Sequence, residues 1–238
     1  MITEDYKITP ELAEIFGVHV GDGYLRYKGK RKEFDISGGY EEKDYYDNSL
    51  IPLFNRTFNL NLNGKFFPSR RTYGFVIRDR SVLSIFIAFG FVSGNKSTIV
   101  RIPEAILQST DKEILSSFLR GYFDTDGCIN FTRRNSKMYS QSKRTYHYYP
   151  RICLSTVSKC LAEDLKIILK RFNLNYYVSI TKSKKVNWND SYKMFMTGRE
   201  NVLKWMEEIG SKNPTKISGF KIWERYGFCP TNTTYNQR

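Results

Sequence analysis

The chain has 238 residues, with 38 Lys and Arg against 24 Asp and Glu, a formal net charge of +14, 40% hydrophobic and 16% aromatic residues. That is enough for one large domain or two small ones, and too apolar for a disordered basic tail. No apolar run reaches the roughly 18 residues of a membrane span, and Met1-Ile2-Thr3-Glu4-Asp5 lacks the layout of a signal peptide, so neither a membrane partner nor a targeting segment is expected. Four cysteines without a CxxC pair and two histidines exclude a zinc finger and a disulfide scaffold, and point to an intracellular, reducing site such as the cytoplasm or an organelle matrix. A folded, aromatic-rich chain of this charge points to nucleic acid as partner.

In chain order, the pattern predicts a helix near 10–21, opened by Thr9-Pro10 as cap and first helical position. A hairpin near 24–38, a helix near 43–58, two strands near 63–79 and a short helix near 81–89 follow. The series then repeats: a helix near 112–125 opened by a Thr110-x-x-Glu113 capping box, a hairpin near 128–156, a helix near 158–172, two strands near 175–197 and a helix near 200–209. The tail after Phe228 reads as polar and frayed. Phe-Asn-Leu-Asn recurs at 58–61 and 172–175, and Asp-Gly recurs at 22–23 and 126–127. The parse is two halves, 1–104 and 105–238, each αββαββα. Hairpins in place of crossovers make the class α+β with antiparallel sheets.

The first helix of each half carries a stripe of small residues: Ala13, Gly17 and Gly21 in one, Ser117, Gly121 and Thr125 in the other. At i, i+4, i+8 these share one helix face. Glycine inside a helix costs about 1 kcal/mol relative to alanine, and close packing of one helix on its copy is the offsetting gain. Each helix then ends in Asp-Gly, with Gly23 and Gly127 expected in the left-handed conformation that terminates helices. Asp22 and Asp126 thus sit at the negative ends of two adjacent helix dipoles. Two such carboxylates need a cation, and an oxygen-ligated divalent metal, Mg²⁺ first, is the simplest answer.

These features resemble the LAGLIDADG homing endonucleases of the two-motif, single-chain type. Residues 119–127, Leu-Arg-Gly-Tyr-Phe-Asp-Thr-Asp-Gly, match the nine-letter motif at five positions, and 15–23, Ile-Phe-Gly-Val-His-Val-Gly-Asp-Gly, at three. Arg101-Ile102-Pro103 is similar to the linker region of that family. The resemblance implies a monomer of two pseudo-symmetric halves packed through the motif helices, each laying an antiparallel sheet in the DNA major groove. It implies that Asp22 and Asp126 bind the catalytic metal and that both strands are hydrolysed to short 3′ overhangs at a long asymmetric target. Mg²⁺ is expected as cofactor, Mn²⁺ as its substitute, and Ca²⁺ as an ion that supports binding without cleavage. His19, Val20, Arg120 and Thr125 depart from the motif; His19 reads as packed and Asp124 as a neighbour of the site.

The resemblance also implies a basic residue late in each half. Lys96 and Lys216 both lie six residues beyond a Gly, at 90 and 210, and form the equivalent pair, with Lys212 as alternative in the second half. Either could orient water or stabilise developing charge. For the DNA face, Tyr24, Arg26, Lys28, Lys30 and Lys32 alternate on the first hairpin against Leu25, Phe34 and Ile36 behind. The second hairpin is longer and carries Asn130, Thr132, Arg133, Arg134, Gln141, Lys143 and Arg144, with Arg151 and Ser155 on its return strand. The later strand pairs add Arg70, Arg71, Arg78 and Arg80, then Lys182, Lys184, Lys185 and Asn189. Arg and Lys suit guanine edges, Asn and Gln adenine. Trp188 reads as a packing residue. Two other readings stay open: an RNA-binding intron maturase on the same fold, with intron RNA as partner, and a non-cleaving DNA-binding regulator. Retention of both aspartates argues against the regulator.

Overall fold

The computed structural model describes residues 7–135, 146–185, 188–230 and 233–238. Thr9 opens α1 (Pro10–Gly21): its hydroxyl accepts from the Leu12 amide, and Pro10 takes the first position, where no amide is required. Then come β1 (Tyr24–Arg26), β2 (Glu33–Gly39), and a helical stretch of α2 (Lys43–Tyr45), a π turn (Tyr46–Leu50) and α3 (Ile51–Phe58). The series closes with β3 (Lys65–Phe67), β4 (Thr72–Ile77) and α4 (Arg80–Ala88). After a short α5 (Glu104–Leu107) the order returns: α6 (Lys112–Asp126), β5 (Cys128–Asn135), β6 (Tyr146–Thr156), α7 (Lys159–Arg171), β7 (Tyr177–Thr181), β8 (Ser191–Thr197) and α8 (Arg199–Glu208).

The recurring Phe-Asn-Leu-Asn has a local cause. Asn59 and Asn173 follow the ends of α3 and α7 with φ of 51° and 48°. Asparagine is among the few residues that enter the left-handed region readily, so the repeat preserves a helix stop.

The strands form two antiparallel sheets of matching order, β1-β2-β4-β3 and β5-β6-β8-β7. In the first, Leu25, Phe34, Ile36, Phe75 and Ile77 are buried against the helices; in the second, Ile152, Leu154, Met194 and Met196 are. Alternate residues face outward, the one-sided pattern of an antiparallel sheet.

Between the two sheets, α1 and α6 pack backbone to backbone. A methyl built on Gly17 would lie 2.1 Å from the Phe118 carbonyl oxygen, and one on Gly121 2.1 Å from that of Glu14. Gly21 abuts Thr125, whose hydroxyl turns back to donate to the Gly121 and Tyr122 carbonyls. Ala13 and Ser117 are buried. Gly17, Gly21, Gly121 and Thr125 of the small-residue stripe thus lie in the contact between the two helices. Polar groups close the far end: Glu14, buried, accepts from Arg120 at 2.9 Å and Lys212 at 2.8 Å, and Arg120 also donates to the Ser117 hydroxyl.

Several local expectations are corrected. Asp111, not Thr110, caps α6, its carboxylate accepting from the Glu113 amide. Gly23 and Gly127 are not left-handed: Gly127 has φ −80°, and Gly23 is absent from the positive-φ glycines. Glycine is needed there for space, since added Cβ atoms would lie 2.7 Å from the backbone of His19 and of Phe123. An unpredicted helix, α9 (Pro214–Tyr226), follows α8. The tail does not fray throughout: Cys229 is buried and Arg238 lies against Gly219 of α9.

Candidate active site and nucleic-acid interface

Asp22 caps the C-terminus of α1, and Asp126 is the last residue of α6. Because Gly21 packs on Thr125 and on the Asp126 amide, the two helix ends arrive together between the sheets. Burial raises the Asp22 carboxyl to about 7, with the Asp126 and Glu42 charges adding to the rise and Lys216 and Lys96 opposing it. Desolvation raises Asp126 as well, again against the pull of Lys96 and Lys216. Two carboxylates that resist ionisation together mark a place for a cation.

The two lysines picked out by the repeat do matching work. Lys96 Nζ donates to the carbonyls of Val20 and Gly21, at 3.0 and 2.7 Å, at the end of α1. Lys216 Nζ donates to those of Phe123, Asp124 and Thr125, at 2.7, 2.8 and 3.3 Å, at the end of α6. Each ammonium thus neutralises the negative end of one motif helix. Burial lowers both lysines, and the nearby aspartates partly restore them. Lys216 has all three N–H donors engaged; among the described residues Lys96 engages two, and it lines a cleft with Asp126 and Ser155. Lys96 lies in a loop, whereas Lys216 is the third residue of α9, held by the Asn213 cap and Pro214. Asn-Pro ahead of a helical run was the signal in the sequence for α9.

Three neighbours take supporting places. Asp124 is buried, its oxygens accepting from the Ser211 hydroxyl and the Lys212 amide, at 2.5 and 2.7 Å; burial raises it to about 6, opposed by those bonds. Lys212 is committed to Glu14. Glu42 was missed by sequence reasoning. It follows β2, accepts from Asn213 Nδ2 at 2.7 Å, and lines a cleft with Lys216, Cys128 and Asn130. Nothing in its sequence surroundings marks it, since its neighbours are brought by α9. His19 is fully buried, its ring 4.5 to 5.5 Å from those of Phe91, Phe86 and Phe34, and burial holds it neutral. The linker is tied to α7, Asp164 accepting from Arg101 and from the Ile102 amide, each at 3.1 Å.

Of the residues expected to contact DNA, Tyr24, Arg26, Asn130, Thr132, Arg133, Arg134, Arg151 and Ser155 lie on strands, and the others among the described residues lie in connections or on a helix. On the first sheet, the strand alternation stops at Arg26: Lys28, Lys30 and Lys32 belong to the β1–β2 loop. Lys30, Arg31, Lys32, Arg78 and Arg80 line one open cleft, with Glu33 paired to Arg31 and Arg78 at 2.8 and 3.6 Å. Arg70 and Arg71 form the β3–β4 turn, and Tyr24 is exposed on β1. On the second sheet, Asn130 faces Arg151, and Ser155 faces Lys193, in register. Lys193 was missed, though its alternation with Met194 was a sequence signal. Thr132, Arg133 and Arg134 lie on β5, their side chains outside the description, and Gln141, Lys143 and Arg144 lie outside the described residues. Lys182, Lys184, Lys185 and Asn189 lie in the β7–β8 connection, Lys182 paired with Asp190 at 2.6 Å. Trp188 is not packed: it is 67% exposed with Lys185 over its ring. Among the described residues no helix is long and apolar enough to cross a membrane.

Residues 113–210 match the family model described as a LAGLIDADG-like domain. Among curated proteins, the chain is similar to the glutamine–fructose-6-phosphate aminotransferase of Methanocaldococcus jannaschii, 28% identical over 208 residues, 85% of this chain and 16% of that protein. It is also similar to the replication factor C small subunit of the same organism, 28% identical over 211 residues, 87% of this chain and 10% of that one. The chain thus spans less than a fifth of the length of these relatives. Among solved structures it is similar to I-DmoI, described as a homing endonuclease, with TM-score 0.56 and 15% identity over 84% of this chain and 95% of that one. A structure of I-DmoI with DNA and Mn gives TM-score 0.55 and 14% identity, over 84% and 96% of the two chains. This likeness shows the fold.

Proposed function

We propose that the chain is a two-motif LAGLIDADG homing endonuclease, hydrolysing both strands of DNA at a long asymmetric site. The observation that carries this reading is the meeting of Asp22 and Asp126 at adjoining helix ends, beside two antiparallel sheets whose connections carry Lys and Arg. The likeness of fold to a homing endonuclease solved with DNA and Mn supports it. The curated relatives are named for different activities, and they match most of this chain with less than a fifth of their own length, which supports a portable, mobile-element origin for the shared stretch.

The donor set fits a divalent metal. Asp22 and Asp126 are oxygen donors, and each is held above its ordinary range, so a cation between them relieves both burial and repulsion. Among the described residues no third metal-ligating side chain completes a cage. Mg²⁺ matches that: it uses one or two carboxylates and keeps waters and substrate phosphate as its other ligands. Mn²⁺ would substitute. The metal would supply an activated water and charge stabilisation on the phosphate.

The chain's own residues do the rest. Lys96 and Lys216 neutralise the helix ends, so that Asp22 and Asp126 face the phosphate without the added negative end of each dipole. Lys96, which lines the cleft with Asp126, stabilises charge developing on the phosphate oxygens. The domains act as halves 1–104 and 105–238, one per half-site, in a monomer. Free Cys128, Cys153, Cys160 and Cys229 are in keeping with a reducing compartment such as the cytoplasm or an organelle matrix.

The test is a randomised duplex library incubated with Mg²⁺ or with Ca²⁺. Cut ends at one long asymmetric site with Mg²⁺ alone, with 3′ overhangs, and lost in Asp22→Asn and Asp126→Asn, are expected. Selected binding without cutting in either metal would leave a regulator, and no selected DNA would turn attention to intron RNA.

A further inference from the structure

We infer that Arg70 and Arg151 each read a guanine, one for each sheet, and that Asp35 with Phe67, and Asn130 with Phe195, hold them in the reading position. The inference rests on the DNA-binding reading above. Arg70 Nη1 donates to both oxygens of Asp35, at 3.2 and 3.1 Å, and its guanidinium carbon lies 4.2 Å from the centre of the Phe67 ring. Arg151 Nε donates to Asn130 Oδ1 at 2.6 Å, and its guanidinium carbon lies 4.6 Å from the centre of the Phe195 ring. That ring is itself stacked on Tyr177, with centres 5.1 Å apart.

Each guanidinium is therefore fixed twice, by an acceptor in its plane and by a ring on its face. An arginine on open surface must lose rotamer freedom to make a two-point contact; these two have lost it before DNA arrives. The bonds made are on one part of each fork. Arg70 keeps Nε and Nη2, and Arg151 keeps both Nη groups, so each retains donors for the paired acceptors O6 and N7 that mark guanine in the major groove. A phosphate contact needs charge more than such alignment, and the exposed loop lysines Lys28, Lys30 and Lys184 suit that role.

Neighbouring arginines have one constraint or the other. Among the described residues, Arg26 lies over Tyr24 at 5.9 Å without a carboxylate or amide partner, while Arg31 and Arg78 pair with Glu33 without a ring beneath them. Among the described residues of the sheets, acceptor and ring together occur once per sheet. Arg70 and Arg151 belong to different sheets, so the two guanines fall in different halves of the target.

The test compares binding profiles in Ca²⁺ of the wild type, Arg70→Lys and Arg151→Lys on the target selected from the random library and on all its single-base variants. Lysine keeps the charge and loses the fork. Each variant is expected to lose about 5- to 150-fold of the preference for guanine at one position, in opposite halves of the site, with other positions unchanged. Asp35→Asn and Phe195→Leu are expected to relax the same positions as Arg70→Lys and Arg151→Lys respectively, with unaltered melting temperature. A loss spread evenly over all positions with a reduced salt slope would show phosphate contacts and overturn the inference. Relaxation at a base other than guanine would overturn it too. A wild type that selects no sequence at all would instead overturn the DNA reading beneath it, which the variants' profiles cannot mimic.

Discussion

Gly17 and Phe118 touch through their main chains: a methyl on Gly17 would sit 2.1 Å from the Phe118 carbonyl oxygen. No rotamer change can relieve that contact, because the obstacle is backbone. The same helix pairing presents Asp22 beside Asp126, so packing and chemistry share one geometry.

Gly17→Ala must push α1 away from α6. The expected loss is about 3 kcal/mol, the upper part of the usual overpacking range, and a fall in melting temperature of roughly 6–12 °C for a chain of this size. Gly39→Ala serves as control, since a Cβ there meets nothing within 4 Å. Thermal melts of both variants decide; equal melting temperatures would refute the close-packing account.

Removing one partner of the buried Glu14 cluster should also destabilise. Glu14→Ala leaves Arg120 and Lys212 without their carboxylate beside the helix pair. The expected cost is about 3 kcal/mol, read from chemical denaturation. A change below about 1 kcal/mol would show that water replaces the carboxylate there.

Stability without divalent metal should fall as pH rises. The Asp22 carboxyl sits at about 7 in the folded chain, well above its ordinary value near 4. Between those values the folded chain holds a proton that the unfolded chain releases, so stability is greatest below the window and declines through it. Asp124 and Asp126, both raised, slope the same way. Denaturation midpoints in chelator should show the decline, and Asp22→Asn should lessen it. Added Mg²⁺ should lessen it in the wild type. A slope identical in the variant would remove Asp22 as its source.

Lys96→Met and Lys216→Met should each lower single-turnover cleavage by roughly 10²-fold, with Ca²⁺-dependent DNA affinity changed only a few-fold. Lys216, engaged with three carbonyls, should in addition lower the melting temperature more than Lys96, engaged with two. Parallel losses of binding and cleavage would assign both lysines to DNA binding alone.

All helices but α5 and α9, both hairpins and the paired aspartates were legible because their signals are local or repeated. A cap such as Thr9, alternation such as Ile152-Leu154 against Arg151-Ser155, and Asp-Gly recurring after a small-residue stripe all act over a few residues, and repetition raised each above chance. The spacing from Gly90 to Lys96 and from Gly210 to Lys216 marked the two lysines as an equivalent pair, and the structure sets each at the end of a motif helix even though one is in a loop and the other on α9.

Other features were decided only when distant segments met. Glu42 joins the site because α9 brings Asn213 and Lys216 to it, at a separation of 171 residues for the bond to Asn213. Gly23 and Gly127 are required by the crowding of His19 and Phe123, a steric fact that no turn propensity encodes. Which arginines are buttressed depends on Asp35 lying across the sheet from the turn at Arg70, and on Phe195 coming to lie against Arg151. Periodicity reports which face a residue takes; the partner it finds on that face is set by strand order and helix crossing, which are properties of the assembled chain.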